Sequence, residues 1–391
     1  MIKKSATLLI TFLCLTARAQ TTQPSGKYAN VVDQLDMIDS AETWSYGTLE
    51  NANVQPDYPA RIELGFKEKD FPRQGSWTGD IIPAKFPFTE LIASFNLKTP
   101  GQTGVILDIR VKQGETWSPW LYMQSWGKTG TAQRTVKFDD GKVDVDTIFL
   151  TKPAEAYQAR LSLQGFDFEK NRPSVRRLAI CYSGKVEDSA ERAKLNPPTT
   201  VPADWARDIP VPFRGQGDFK NPKSLWGQIC SPTSTSMVME YWGVNLPTVE
   251  NALAIYDSHW DLFGNWGRAV TRAGEMGLDA YLRRFRNWDQ VKAVIAEGTP
   301  IIASIRFKKG QVQGFLYEYT PGHLIVIRGL TPQGDIIVND PAKRDKGNHV
   351  IYPAKGMETA WFNNGGVGYV IKKPTPPATQ PSFAGPQPDG I

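Results

Sequence analysis

The chain has 391 residues and a formal net charge of +5; 40% of its residues are hydrophobic, 22% charged and 11% aromatic. That length exceeds what one hydrophobic core ordinarily serves, so two domains are expected, and the composition excludes a disordered chain. No Lys/Arg-rich block supplies the basic stripe that nucleic acid needs, so no nucleic-acid partner is expected.

Residues 1–19 have the order of an export signal: Lys3 and Lys4, an apolar run from Ala6 to Leu15, then Ala17-Arg18-Ala19 as the cleavage site. The run is too short for a membrane anchor, and no later stretch reaches the roughly 18 apolar residues of a span. Leu13 before Cys14 does not suit a lipoprotein site. A secreted or periplasmic protein is expected, with Cys181 and Cys230 left in the mature chain. An oxidising compartment is able to join them, and that disulfide would block chemistry at Cys230.

From 28 to 183 the pattern is one of strands and turns. Val105, Leu107, Ile109 and Val111 alternate with polar residues until Gln113-Gly114, and Tyr157, Ala159, Leu161 and Leu163 repeat the period of two. Short strands between Gly, Pro and Asn signals predict an all-β sandwich. Nothing in this half looks catalytic. Periodicity stops over 184–208, where Lys194 to Thr200 is polar and proline-rich, the texture of an exposed linker.

Residues 209–373 read differently. Helical segments at 232–242, 266–276 and 287–297 precede strand-like runs at 301–307, 323–328, 336–339 and 367–371, the order of an α+β domain. Residues 374–391 are rich in Pro, Gly, Gln and Thr, as disordered tails are.

A cysteine attacks carbonyls as its thiolate, which its ordinary pKa of about 8.5 makes scarce at neutral pH. Ser231-Pro232-Thr233-Ser234 after Cys230 reads as a helix start, which sets the sulfur at the positive end of a helix. A histidine alongside would complete its activation. The chain has three histidines. His323 opens the apolar strand Leu324 to Ile327, where a cleft reaches it, whereas His259 and His349 sit in loop-like surroundings. Asp340 closes the next strand, and a turn at Gln333-Gly334 brings the two strand ends together, so Asp340 is placed to orient His323. An Asp-Pro pair after a strand also serves as a turn device.

Val211-Pro212-Phe213-Arg214-Gly215-Gln216, Cys230-Ser231-Pro232-Thr233-Ser234 with Tyr241-Trp242-Gly243, Gly298-Thr299-Pro300, Gly322-His323 and Val338-Asn339-Asp340-Pro341 together resemble family thirty-nine of the cysteine peptidases over about 209–371. The resemblance implies a papain-like fold with Cys230 as nucleophile, His323 as base and Asp340 as third member. It implies an oxyanion glutamine ahead of the cysteine, Gln216 or Gln228. Ser231 stands where that family usually has glycine. No metal or cofactor is implied.

Residues 28–183 resemble a jelly-roll-like sandwich found ahead of such domains, through Phe88 to Asn96, Trp117-Ser118-Pro119-Trp120 and Val145-Asp146-Thr147. Trp117, Trp120 and Trp126 are candidates for a glycan-stacking face or for core. The expected reaction is hydrolysis of a peptide bond in a peptide or protein substrate through a thioacyl-enzyme. The alternatives are an amidase or acyl transferase acting on cell-wall peptides, and a non-catalytic protein binding a glycan or cell surface.

Overall fold

The computed structural model describes residues 26–65, 73–130, 137–167, 171–218 and 220–375. The expected export signal lies outside the described residues, as does the expected tail apart from Pro374 and Thr375. No described helix is long and apolar enough to cross a membrane.

The first half is nearly all strand: β1 (Val31–Ile38), β2 (Gly47–Glu50), β3 (Ala52–Gln55), β4 (Arg61–Leu64), β5 (Arg73–Gly79), β6 (Ile82–Lys98) and β7 (Thr103–Gln113). There follow β8 (Thr116–Trp117), β9 (Leu121–Gly127), β10 (Lys137–Phe138), β11 (Gly141–Asp144), β12 (Thr147–Gly165) and β13 (Ser174–Lys185). One short helix, α1 (Ala41–Ser45), interrupts them. β13 pairs with β1 and β6, and β6 pairs with the first part of β12. Register breaks between Phe149 and Ala156, after which β12 pairs with β7 and, from Arg160, with β5 on its other edge. Such irregularities bend a strand. β12 therefore links the strands paired with β6 to those paired with β7 and β5 within one 13-stranded sheet around one core.

The alternation visible in the sequence is one ladder in that core. Val105, Leu107, Ile109 and Val111 stand opposite Leu163, Leu161, Ala159 and Tyr157, and all eight are buried. The tryptophans do not make one open face. Trp126 is buried, with its indole N–H on Glu275 and the Arg268 guanidinium over its ring. Arg110 lies over both Trp117 and Trp120, and Arg160 also lies over Trp120.

The stretch expected as bare linker contains a helix, α2 (Ser189–Leu195). Asp188 starts it, its carboxylate accepting from the N–H groups of Ala190 and Glu191. The polar, proline-rich residues that mark the linker in the sequence begin where α2 ends.

The second half runs α3 (Cys230–Tyr241), α4 (Thr248–Ile255), α5 (Trp266–Glu275), β14 (Asp279–Arg284), α6 (Trp288–Ala296), β15 (Ile301–Phe307) and β16 (Thr320–Leu330). It ends with β17 (Ile336–Asn339), β18 (Val350–Tyr352), α7 (Ala354–Ala360) and β19 (Val367–Lys372). The three expected helices and four expected strands form close to their predicted limits, and α4, β14, β18 and α7 add to them. The sheet is antiparallel in the order β14-β19-β15-β16-β17-β18.

Helix α3 has no polar face, because it lies inside the domain: residues 231–239 are all buried. Its hydroxyl groups are satisfied locally and across to the sheet. Thr233 and Thr235 donate to the carbonyls of Ile229 and Ser231, while Ser234 donates to the Leu324 carbonyl of β16 at 3.0 Å. Small side chains let the helix approach the sheet closely, and that last bond fixes its start beside His323.

The halves meet over buried polar groups. β14 is an edge strand, and its free edge is covered by β6: Asn96 accepts from the Ala280 N–H and donates to the Ala280 carbonyl, and Ser94 accepts from the Leu282 N–H. α5 lies against the same half through Gly267 and Gly274, seven residues apart on one face. A Cβ at Gly274 would lie 2.7 Å from the Asn96 amide, so only glycine fits this approach. Arg284 pairs with Glu90 at 2.9 Å and Arg286 with Asp33 at 2.5 Å, with both guanidinium groups buried.

Removing one member of a buried pair strands the other. Asp33→Ala should cost about 3–5 kcal/mol in urea unfolding, and replacing Asp33 and Arg286 together by apolar residues of similar volume should cost clearly less. Equal costs for the two variants would show that pairing is not what holds this interface.

Candidate active site

Cys230 is the first residue of α3, and its predecessor Ile229 brings no side-chain cap. The N–H groups of Cys230 and Ser231 therefore have no capping side chain and face an anion there, while Pro232 has no N–H and that of Thr233 goes to the Ile229 carbonyl. Cys230 is half-buried and unpaired with Cys181, which is itself a free, buried cysteine of β13 packed against the core of the second half. Burial opposes a charged sulfur, but the hydrogen bond and charge of His323 outweigh it. With help from the backbone N–H groups of Leu324 and Ser231, they bring the thiol below its ordinary value. Burial, with the Asp33 charge, pushes the Cys181 thiol up to about 12 against the opposing charges of Arg284 and Arg286.

His323 stands near the start of β16 with its ring buried against the Cys230 sulfur. Nε2 makes a 2.8 Å hydrogen bond to Asp340 Oδ1, which leaves Nδ1 for the sulfur. Burial disfavours the imidazolium, yet the adjacent carboxylate prevails and raises His323 to about 10.

Asp340 has no exposed surface. Oδ1 also accepts from the Ala342 N–H at 2.9 Å, and Oδ2 accepts from the phenols of Tyr352 at 2.7 Å and Tyr317 at 2.9 Å. Burial pushes the carboxyl up, but the His323 charge and these donors hold it below the usual carboxylate range. Burial and the Asp340 charge push both phenols far up, so they remain donors. The loop after Asp340 folds back on it: the Asp340 N–H donates to the Gly347 carbonyl, and a Cβ at Gly347 would collide with the Asp340 carbonyl at 1.9 Å.

The expected turn is present, with Gly334 at φ +93° between β16 and β17. Cys230, His323 and Asp340 thus come together from a helix start and two neighbouring strands. His259 is exposed against Trp260, and His349 bonds Asp208 at 2.9 Å, both outside this group. Gln216 is buried, its main-chain N–H on the Pro341 carbonyl and its side-chain Oε1 without a partner among the described residues. Gln228 is exposed on the cleft wall, with its amide nitrogen turned to the Ser224 carbonyl at 2.9 Å. Ser231 is buried, its hydroxyl 3.1 Å from that of Tyr369.

The sequence reading missed Tyr317 and Tyr352, which carry no local signal, since both look like ordinary core aromatics. It also missed the other side of the cleft. Cys230 and His323 open into a space of about 560 Å³, which is closed on one side by residues 144–147 and Phe149 of the first half. Among the described residues no cluster of His, Cys, Asp and Glu is arranged to hold a metal ion.

Comparison with known proteins follows the same division. The model of the Peptidase C39 like family matches residues 208–369, and that of the Peptidase C39 N-terminal domain matches residues 34–183. No curated protein matches the chain. Among solved structures it is similar to a double glycine motif protease from an AMS/PCAT transporter in complex with the leader peptide, at 18% identity and a TM-score of 0.29, covering 43% of this chain and 94% of that one. It is also similar to the C-terminal CBM6 of LamC from Zobellia galactanivorans, at 14% identity and a TM-score of 0.21, covering 38% of this chain and 98% of that one. Residues 208–369 thus carry the pattern of the Peptidase C39 like family and residues 34–183 that of the Peptidase C39 N-terminal domain, and the chain is a cysteine peptidase.

Proposed function

We propose that this is a secreted cysteine peptidase that hydrolyses peptide bonds through a thioacyl-enzyme. Residues 209–373 form its papain-like catalytic domain, residues 28–183 a jelly-roll-like sandwich before it, and residues 1–19 its export signal. The observation that carries this reading is the line of contacts from the Cys230 sulfur through the His323 ring to the buried Asp340 carboxylate.

The Cys230 thiolate attacks the carbonyl carbon, and the negative oxygen that forms is met by the Cys230 N–H at the helix start. Gln216 supplies the second donor by the family pattern; Gln228, which lines the cleft, places one of its two amide N–H groups on the Ser224 carbonyl. The His323 imidazolium gives its proton to the departing amine, the C–N bond breaks and a thioester remains. Neutral His323 then takes a proton from water, whose oxygen displaces the sulfur. Acid is released, and the thiolate–imidazolium pair returns. Asp340, locked by four donors, keeps the ring turned so that Nδ1 faces the sulfur throughout.

Four measurements test this. Iodoacetamide should label Cys230 much faster than Cys181 in peptide mass mapping, and Cys230→Ala should leave a folded protein whose peptide hydrolysis falls to background. Equal labelling, or a fully active variant, would remove the reading. The products should be free acids in water; products joined to an added amine instead would make the chain an acyl transferase.

The fourth concerns pH. Below the lowered pKa of Cys230 the nucleophile is protonated, and above about 10 His323 has lost the proton it must give. The profile of kcat/KM should therefore be a bell whose acid limb falls below the ordinary thiol range and whose alkaline limb lies near 10. An acid limb at the ordinary thiol value would show that the ion pair does not form.

A further inference from the structure

The cleft that exposes Cys230 and His323 has a wall from the other half of the molecule. Asp144 and Thr147 are the last pair of the β11–β12 hairpin, and Val145 and Asp146 are its two-residue loop; all four line the cleft. Val145 has φ +58°, a conformation that two-residue hairpin loops ordinarily give to Asn, Asp or Gly and that β-branched residues avoid. Burial does not explain the choice, because Val145 is only half-buried. Its strain is held by its neighbour: Asp146 is buried, and its Oδ2 accepts from the N–H of Trp266, the first residue of α5, at 2.7 Å. The tip is thus clamped to the rim of the cleft, with an apolar side chain where turn chemistry calls for a polar one.

Around Val145 the same cleft is lined by Phe149, Leu262, Phe263 and Trp266, each of them also half-buried. Partly exposed apolar side chains gathered in one concave site mark a place where an apolar ligand is received. We propose that the N-terminal half is part of the substrate site: Val145 and Phe149, with Leu262, Phe263 and Trp266, form a subsite for a bulky apolar side chain of the peptide near the scissile bond. Val145 is its specificity-determining residue, and Asp146 is the positioning residue that anchors it. This inference rests on the peptidase reading above and adds to it which substrates are preferred and which domain selects them.

The test is digestion of a peptide mixture by the full chain, comparing wild type, Cys230→Ala and Val145→Asn. Asparagine suits the loop better than valine, so the variant should fold at least as stably, and iodoacetamide should label its Cys230 at the wild-type rate. The wild type should favour peptides with a bulky apolar residue near the cut. In Val145→Asn the ratio of kcat/KM for those peptides over polar ones should fall about 10-fold or more, chiefly through KM, the scale on which an apolar contact discriminates. A merely structural turn would leave the ranking unchanged, and that result overturns the subsite while the peptidase reading stands. If no cleavage depends on Cys230, the peptidase reading falls, and the subsite falls with it.

Discussion

An ionised carboxylate with no exposed surface is the constraint on which the rest of the site depends. Taking Asp340 out of water costs several kcal/mol, and only charge and hydrogen bonds offset that cost. The four donors to Asp340 come from four places: Tyr317 from the loop before β16, His323 from β16, Ala342 from the turn after β17, and Tyr352 from β18. Each segment is held where its donor reaches the carboxylate. Aromatic packing does the rest, with Phe307 stacked on Tyr317 and Phe315 on Tyr352 at ring separations of 5.7 and 4.0 Å.

What the carboxylate does for His323, the interior helix does for Cys230. A cysteine at an exposed helix end would have its charge screened by water, whereas this one stands at the start of a helix whose next nine residues are buried. The hydroxyl-rich sequence of α3 makes this possible, since Ser and Thr fill little volume and satisfy themselves on nearby carbonyls. Ser231, which departs from the family's glycine, is accommodated in the same way through Tyr369.

Much of this was legible along the chain. Period-two runs in the first half turn out to face each other across one ladder, because alternation reports which face is buried whatever the partner strand is. The helix start signalled by Ser231-Pro232-Thr233-Ser234 is present, with Pro232 in its first turn although no side chain caps it, and Gln333-Gly334 marked the turn that sets His323 near Asp340. What stayed hidden depends on distant partners. The strand β14 is short, and its free edge is completed by Asn96 and Ser94, some 180 residues earlier in the chain. Tyr317 and Tyr352 become ligands of a carboxylate only once the sheet is assembled. The tip at Val145 contradicts its own turn propensity, so no reading of local preference would place it at a cleft.

The interface between the halves bears on whether the N-terminal half is an accessory or a part of the catalytic body. Domains joined as separable modules usually meet over modest, wet and polar surfaces and move relative to one another. Here the first half completes the backbone hydrogen bonding of β14 and supplies the carboxylates that pair with the guanidinium groups of Arg284 and Arg286. The support then runs inward: Leu282 on β14 stands opposite Tyr369 on β19, and the Tyr369 hydroxyl meets that of Ser231, next to Cys230. Loss of the first half would thus expose an unpaired edge, strand two guanidinium groups and loosen the strand pair that backs the start of α3. A β domain so placed serves as a structural wall of the enzyme, and the position of its β11–β12 tip in the cleft is what that attachment makes possible.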